Sequence, residues 1–258
     1  MSDRPTSRTV PPNPDFLEAT MKLEDVKHIA VIGGGVMGGG IAQIHAAGGY
    51  RVTIRDLTNQ IIEDTRHELL DGKWGVKRAV ERGKMGFDMA QQVIDNVDFT
   101  TELKDLADVD LIIEAIPEKL ELKQNVFEEL DKAIKPEAIF ASNTSGFVIQ
   151  EIAAKVSDDR KSRFIGLHYS NPVPVMTMVE IVTTPDTIEE VLETAIGVSK
   201  AARRDISMVK DAPGTYGFIL NRVFAAAYRE AKKIVDDGLA TPEDVDRAND
   251  HRVETGPR

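Results

Sequence analysis

The stretch Lys27-His28-Ile29-Ala30-Val31-Ile32-Gly33-Gly34-Gly35-Val36-Met37-Gly38 decides the fold. Its first half is a short run rich in β-branched residues that ends at glycines, which reads as a buried strand. The next segment, Val36–Ala47, carries small residues together with Ile41 and Ile44, the pattern of a helix packed close against a sheet. Between the two lies G-x-G-x-x-G in the context that gives it meaning, after a strand and opening a helix. Gly33 permits the tight turn, Gly35 lets the backbone approach a pyrophosphate, and Gly38 lets helix and strand pack closely. The helix start, including the amides of Val36 and Met37, offers free N–H groups and partial positive charge to phosphates.

Working outward, Tyr50–Arg55 is the second strand. Asp56 stands at its end, 18 residues beyond Gly38. A carboxylate there accepts hydrogen bonds from ribose hydroxyls and repels a 2′-phosphate, which favours NAD over NADP. Arg55 beside it is the complication, because a nearby arginine tolerates that phosphate. Thr58–Arg82 reads as one long helix with weak points at Gly72 and Gly75, and Met89–Ile94 as a short one. Strands are predicted at Val97–Thr100, Asp110–Ala115, Ala138–Ser142, Phe164–Tyr169, Met176–Val182 and Ile206–Val209. Helices are predicted at Leu120–Ile134 and Ile188–Ala201. This alternation implies an α/β fold: a Rossmann-type, mostly parallel sheet with helices on both faces. After Pro213 the pattern turns helical, with Phe218–Asp237 as one long helix and another starting at Pro242. The domains are therefore a tail over 1–25, a Rossmann-type domain over 26–210 and an all-α C-terminal part over 211–258.

His168 closes F-I-G-L-H and Glu180 sits in M-V-E-I-V. If Asn171-Pro172-Val173-Pro174 reverses the chain, these two residues meet across neighbouring strands. A carboxylate in an apolar strand is costly unless paired, and an imidazole is a natural partner. Glu180 would fix the ring's tautomer and orientation and favour its protonated form. A histidine so poised near NAD suits removal of an alcohol proton as hydride leaves, help worth ~10²–10⁴ in rate.

Glu114 and Glu118 flank the carboxyl end of one strand; Asn143, Thr144 and Ser145 stand just after the next. Ligands bind at these ends of open parallel sheets, although Thr144 or Ser145 can equally start a helix as a cap. Thr144 is read as such a cap. His28, His45, His67 and His251 show no partner pattern and are read as ordinary. Trp74 is read as core or lid, and Lys200–Arg204 as a solvated helix end.

The bulk of the sequence sets limits on these readings. With 43 acidic and 32 basic residues the net charge is −11, which disfavours binding to nucleic acid or acidic membranes. An anionic ligand must then be held by locally gathered donors. No apolar run approaches the ~20 residues of a membrane helix. Residues 1–25 are polar, hold Pro5, Pro11, Pro12 and Pro14, and lack a signal peptide's apolar core. They predict a disordered or extended tail, and Asp3, Asp15 and Glu18 speak against a mitochondrial presequence. There are no cysteines, which removes disulfides, zinc–thiolate sites and cysteine nucleophiles and fits a reducing cytoplasm. No metal site is expected.

With these segments in place, the sequence resembles the L-3-hydroxyacyl-CoA dehydrogenase family, including 3-hydroxybutyryl-CoA dehydrogenases. The matching segments are I-A-V-I-G-G-G-V-M-G-G-G-I-A-Q (29–43), D-L-I-I-E-A-I-P-E-K-L-E-L-K (110–123), F-A-S-N-T-S (140–145), G-L-H-Y-S-N-P-V-P-V-M-T-M-V-E-I-V (166–182) and D-A-P-G…F-I-L-N-R-V (211–223). The resemblance implies NAD-dependent, reversible oxidation of an L-3-hydroxyacyl-CoA in fatty acid metabolism, with His168 as base and Glu180 as its acidic partner. It implies that Ser145, Asn171 and Asn221 contact the reacting substrate or orient the histidine. It places Glu118, Lys123 and Asn143 near the nicotinamide, with Lys123 close to the thioester. It implies a CoA site that includes a helix around Lys73–Lys84, with Arg82 facing the phosphates. Three departures stand out: Gly146-Phe147 come after Ser145 where Ser and Leu are usual, Thr215-Tyr216-Gly217 looks inserted, and the chain stops where relatives continue for several helices. The second domain is therefore expected to be incomplete. The long helix carries apolar residues on several faces, from Phe218 and Ile219 to Tyr228 and Ile234, and predicts a homodimer. A dehydrogenase of a small hydroxy or sugar acid, and a non-catalytic NAD-binding protein, remain alternatives on the sequence alone.

Overall fold

The computed structural model describes residues 21–214 and 216–255. Eight strands form one sheet in the order β3-β2-β1-β4-β5-β6-β7-β8. They are β1 His28–Ile32, β2 Arg51–Arg55, β3 Val97–Thr100, β4 Leu111–Glu114, β5 Ile139–Ser142, β6 Phe164–Tyr169, β7 Met178–Thr183 and β8 Asp205–Lys210. From β3 to β6 all neighbours are parallel; β7 runs antiparallel to β6, and β8 parallel to β7. The helices are α1 Val36–Ala47, α2 Asn59–Asp71, α3 Val76–Glu81, α4 Phe87–Asn96, α5 Leu120–Ala133, α6 Ile149–Ile152, α7 Asp158–Lys161, α8 Glu189–Ala201, α9 Leu220–Asp236 and α10 Pro242–Thr255.

Alternation along the strands divides the core. In β1, Ile29 and Val31 join Ile41 and Ile44 of α1 and Val191 and Val198 of α8 on one face of the sheet. Ala30 and Ile32 join Phe127 and Leu130 of α5, Phe140 and Phe164 on the other. Both faces are covered, so the strands read as continuous apolar runs rather than alternating ones. The order in which β1 sits between β2 and β4 creates a switch point: successive connections leave β1 in opposite directions, and a crevice opens above its carboxyl end.

Four expectations need correction. The long helix over 58–82 is two helices, α2 and α3, because the chain turns at Gly72–Gly75, where any Cβ on Gly72 would lie 2.4 Å from the carbonyl oxygen of Glu68. Residues 21–25 are not part of a loose tail. Met21 is buried, its carbonyl accepts from Thr194 of α8, and Leu23–Asp25 form a single 3₁₀ turn; residues 1–20 lie outside the described residues. Arg204 is not a solvated helix end: half-buried, it donates to the carbonyls of Val173 and Met176 at 3.1 and 2.7 Å and so clamps the 171–176 loop. Thr144 caps a turn rather than a helix, its Oγ1 accepting from the amides of Gly146 and Phe147. Among the described residues no helix is long and apolar enough to cross a membrane.

Candidate active site

The glycine turn sits in the crevice. Gly33 has φ +104°, and a Cβ there would lie 2.8 Å from the Ala115 carbonyl oxygen, so only glycine fits beside β4. At Gly38 a Cβ would fall 1.8 Å from the Gly33 carbonyl oxygen. Gly35 differs: nothing lies within 4 Å of the Cβ position. That open space above the start of α1 is where a pyrophosphate fits. The first-turn amides of Val36, Met37 and Gly38 have no intrahelical acceptor and Val36 is 81% exposed. The Gly34 peptide is gripped at both ends. Its amide donates to Asp56 Oδ2 at 2.6 Å, and its carbonyl accepts from Thr65 Oγ1 at 2.5 Å. Asp56 Oδ1 accepts from Leu57 N. The carboxylate thus ties the end of β2 to the turn and keeps lone pairs for ribose hydroxyls. Nothing in the sequence points to Thr65, which lies 31 residues from Gly34 and is carried there by α2.

A dinucleotide whose adenosine ribose met Asp56 would cross the turn and extend over the ends of β4, β5 and β6. There Glu114 is fully buried and accepts from Lys123 Nζ (2.6 Å), Ser142 Oγ (2.6 Å) and the Ile116 amide (2.7 Å). Burial pushes the Glu114 carboxyl up, and Lys123 and the other donors draw it partly back. Lys123 is only 1% exposed, so its ammonium meets two carboxylates rather than the cleft; the second is Glu118, 3.2 Å away. Glu118 Oε1 in turn accepts from Thr144 Oγ1 and the Ser145 amide. The lysine therefore acts on the Ser145 loop through Glu118. Asn143 Oδ1 accepts from the Tyr169 amide at 2.9 Å and locks the end of β5 to β6. Ser145 is partly exposed, and its hydroxyl makes no hydrogen bond among the described residues.

His168 and Glu180 are register partners on the antiparallel strands β6 and β7. The ring Nδ1–H donates to Glu180 Oε2 at 2.8 Å, with Glu180 fully buried and His168 6% exposed. An ionised carboxylate can only accept, so the neutral ring carries its lone pair on Nε2. Nε2 has no partner among the described residues. Burial alone would raise the Glu180 carboxyl; the His168 ring and the amides of Leu220 and Ile219 outweigh it and hold it below the usual range. Those amides, at 3.0 and 2.7 Å from Oε1, are the start of α9. Asn221 comes next, in the first turn of that helix. Phe218, with φ +46°, is buried with its ring centroid 5.5 Å from that of His168. Asn171 is exposed and, with Gly35, Gln43, Trp74 and Val173, lines a cavity of about 300 Å³ beside the turn. Lys73 and Arg82 flank the Trp74 ring at 5.0 and 5.6 Å. These two cations lie around a loop and short helix rather than along one continuous helix.

A nucleotide turn on one side of a switch point and an oriented imidazole base on the other define an NAD-dependent oxidoreductase. The chain belongs to the 3-hydroxyacyl-CoA dehydrogenase family. Residues 28–212 match the family's profile "3-hydroxyacyl-CoA dehydrogenase, NAD binding domain" and residues 217–255 match "3-hydroxyacyl-CoA dehydrogenase, C-terminal domain". It is 38% identical over 233 residues to human mitochondrial hydroxyacyl-coenzyme A dehydrogenase, covering 89% of this chain and 73% of that one. It is 38% identical over 225 residues to a probable 3-hydroxybutyryl-CoA dehydrogenase of Deinococcus radiodurans, covering 84% of this chain and 74% of that one. Among solved structures it resembles FadB2 of M. tuberculosis with a TM-score of 0.81 at 33% identity, over 90% of this chain and 79% of that one.

Proposed function

We propose that this chain catalyses the reversible oxidation of an L-3-hydroxyacyl-CoA to the 3-oxoacyl-CoA, with His168 as general base. The observation that carries this is the buried His168–Glu180 hydrogen bond of 2.8 Å, which leaves Nε2 as a free acceptor at the end of the sheet. NAD, when bound, supplies the hydride acceptor. His168 Nε2 takes the proton of the substrate's 3-hydroxyl, and Glu180 stabilises the imidazolium that results. The Ser145 hydroxyl and the Asn221 amide hold the substrate oxygen against His168, and Asn171 lines the approach. Glu118, positioned by Lys123, and Asn143 shape the nicotinamide end; Gly33, Gly35, Val36, Met37, Gly38 and Asp56 hold the rest of the dinucleotide. The CoA arm passes Trp74, outside the glycine turn, with Lys73 and Arg82 toward its phosphates. Replacing His168 with Gln is expected to abolish acetoacetyl-CoA reduction while NADH still binds by calorimetry. Near-native turnover in that variant would sink the mechanism.

The same reading includes a homodimer. Val223, Phe224 and Tyr228 on α9 are 62%, 65% and 72% exposed, an apolar face that favours burial against another copy. A monodisperse monomer by light scattering would rule this out.

A further inference from the structure

We propose that Tyr216 sets the upper size of the acyl group, its ring walling the reaction pocket beside Ser145; this deepens, and rests on, the 3-hydroxyacyl-CoA reading. The observation is a contact between two residues that are 70 positions apart in the chain. A Cβ on Gly146 would lie 2.4 and 2.6 Å from Cδ2 and Cε2 of Tyr216 and 2.7 Å from the Gly217 amide nitrogen. The ring is therefore seated on bare backbone at the residue after Ser145, a seat that only glycine leaves open. Both residues belong to stretches that the resemblance marks as unusual, and the contact joins the two. Tyr216 is 64% exposed, so much of the ring is uncovered.

The segment Tyr216–Leu220 links that ring to the base. Gly217 and Phe218 both take left-handed backbone conformations, φ +92° and +46°. The Phe218 side chain is buried against the His168 ring. The amides of Ile219 and Leu220 end on Glu180 Oε1. The strap thus runs from Gly146 to the His168–Glu180 pair. Phe218 packs with Phe127, Phe140 and Phe164, on the sheet face opposite the one that carries α1 and Val173.

A substrate whose carbinol sits at His168 extends two arms. On the α1 side the crevice is open toward Trp74, and the long CoA arm leaves that way. On the other side the strap carries the tyrosine ring beside Ser145, and the proposed acyl arm runs toward it. Apolar walls of this kind discriminate chain length by what they exclude, at roughly tenfold or more for each unaccommodated methylene. The substrate class this selects is a short-chain 3-hydroxyacyl thioester.

The test compares acetoacetyl-CoA with 3-oxodecanoyl-CoA as substrates for NADH oxidation, and butyryl-CoA with decanoyl-CoA as binding ligands of the NADH complex by calorimetry. The native protein is expected to favour the short substrate in kcat/KM by at least about tenfold. Tyr216→Ala is expected to narrow that ratio by about tenfold and to tighten decanoyl-CoA relative to butyryl-CoA. Tyr216→Phe, which keeps the ring, is expected to retain the native ratio. Turnover with a ratio that does not move in Tyr216→Ala, or that is lost in Tyr216→Phe, overturns the wall and leaves the dehydrogenase reading standing. Neither turnover nor binding of any of these thioesters overturns both.

Discussion

Glu180 uses its two oxygens on different parts of the chain. Oε2 accepts from His168, and Oε1 accepts from the first amides of α9. A glutamine in its place has one oxygen and one NH₂ group, so it cannot accept on both sides. Either the imidazole loses the partner that fixes its tautomer, or an NH₂ faces the amides of Ile219 and Leu220. An unsatisfied buried group costs about 1–3 kcal/mol. Glu180→Gln is therefore expected to lower both kcat, by ~10² or more, and the unfolding temperature. Unchanged kcat with a lowered melting point would make Glu180 a structural residue only. The pair itself is legible in the sequence because a short reversal between two apolar runs sets the register. The second role of Glu180 is not, because it depends on where α9 docks, 39 residues away. Lys123 shows the same limit: the family resemblance implies a ligand contact, while packing buries it between Glu114 and Glu118.

At the scale of elements, β1, the glycine turn and α1 form a unit whose tolerances differ from one residue to the next. Gly38→Ala must push α1 away from the turn, because its Cβ would overlap the Gly33 carbonyl and sit 3.2 Å from Val31 Cγ1. Gly39→Ala meets only Thr65 Cγ2 at 3.5 Å, an ordinary contact. The first is expected to cost about 1–3 kcal/mol of stability and most of the NADH affinity; the second is expected to keep both. Equal behaviour of the two variants in NADH titration and thermal unfolding would refute these assignments in the turn. Strand–turn–helix units of this kind are legible because their signals are local: β-branched residues, then glycines, then small helix formers. The division of 58–82 into α2 and α3 is less so, since helical periodicity continues through Gly72 and the break comes from close packing at Glu68. Short pieces such as α6 and α7 hold four residues each and carry too little periodicity to be seen.

Across the whole molecule, the same burial that closes the sheet's faces sets how stability depends on acidity. His45 lies on α1 in the core and is fully buried; its Nε2 pairs with the Tyr169 hydroxyl at 2.8 Å. Burial, aided by nearby Arg204, lowers its pKa from 6.5 to about 3. The unfolded chain therefore takes up a proton that the folded protein refuses. That contribution to stability is fully present above about pH 6.5 and is lost as pH falls toward about 3. His28, shifted the same way mainly by burial, adds to it. Glu180, Asp110 and Asp131 are also held below their usual range, but each against its own burial and by donors around it. Their contributions are present above the carboxylate range and disappear only at lower pH. Stability thus falls through two windows, a histidine window first and a carboxylate window below it. At about pH 5 the His45 share amounts to about 2 kcal/mol. His45→Gln cannot titrate, yet it can still meet the Tyr169 hydroxyl. Urea unfolding from about pH 7.5 to about pH 5 is expected to show native stability falling and the variant falling less, by roughly that amount. Parallel losses in the two proteins would mean that His45 is protonated inside the fold, and the buried ring would then need an acceptor that its surroundings do not provide.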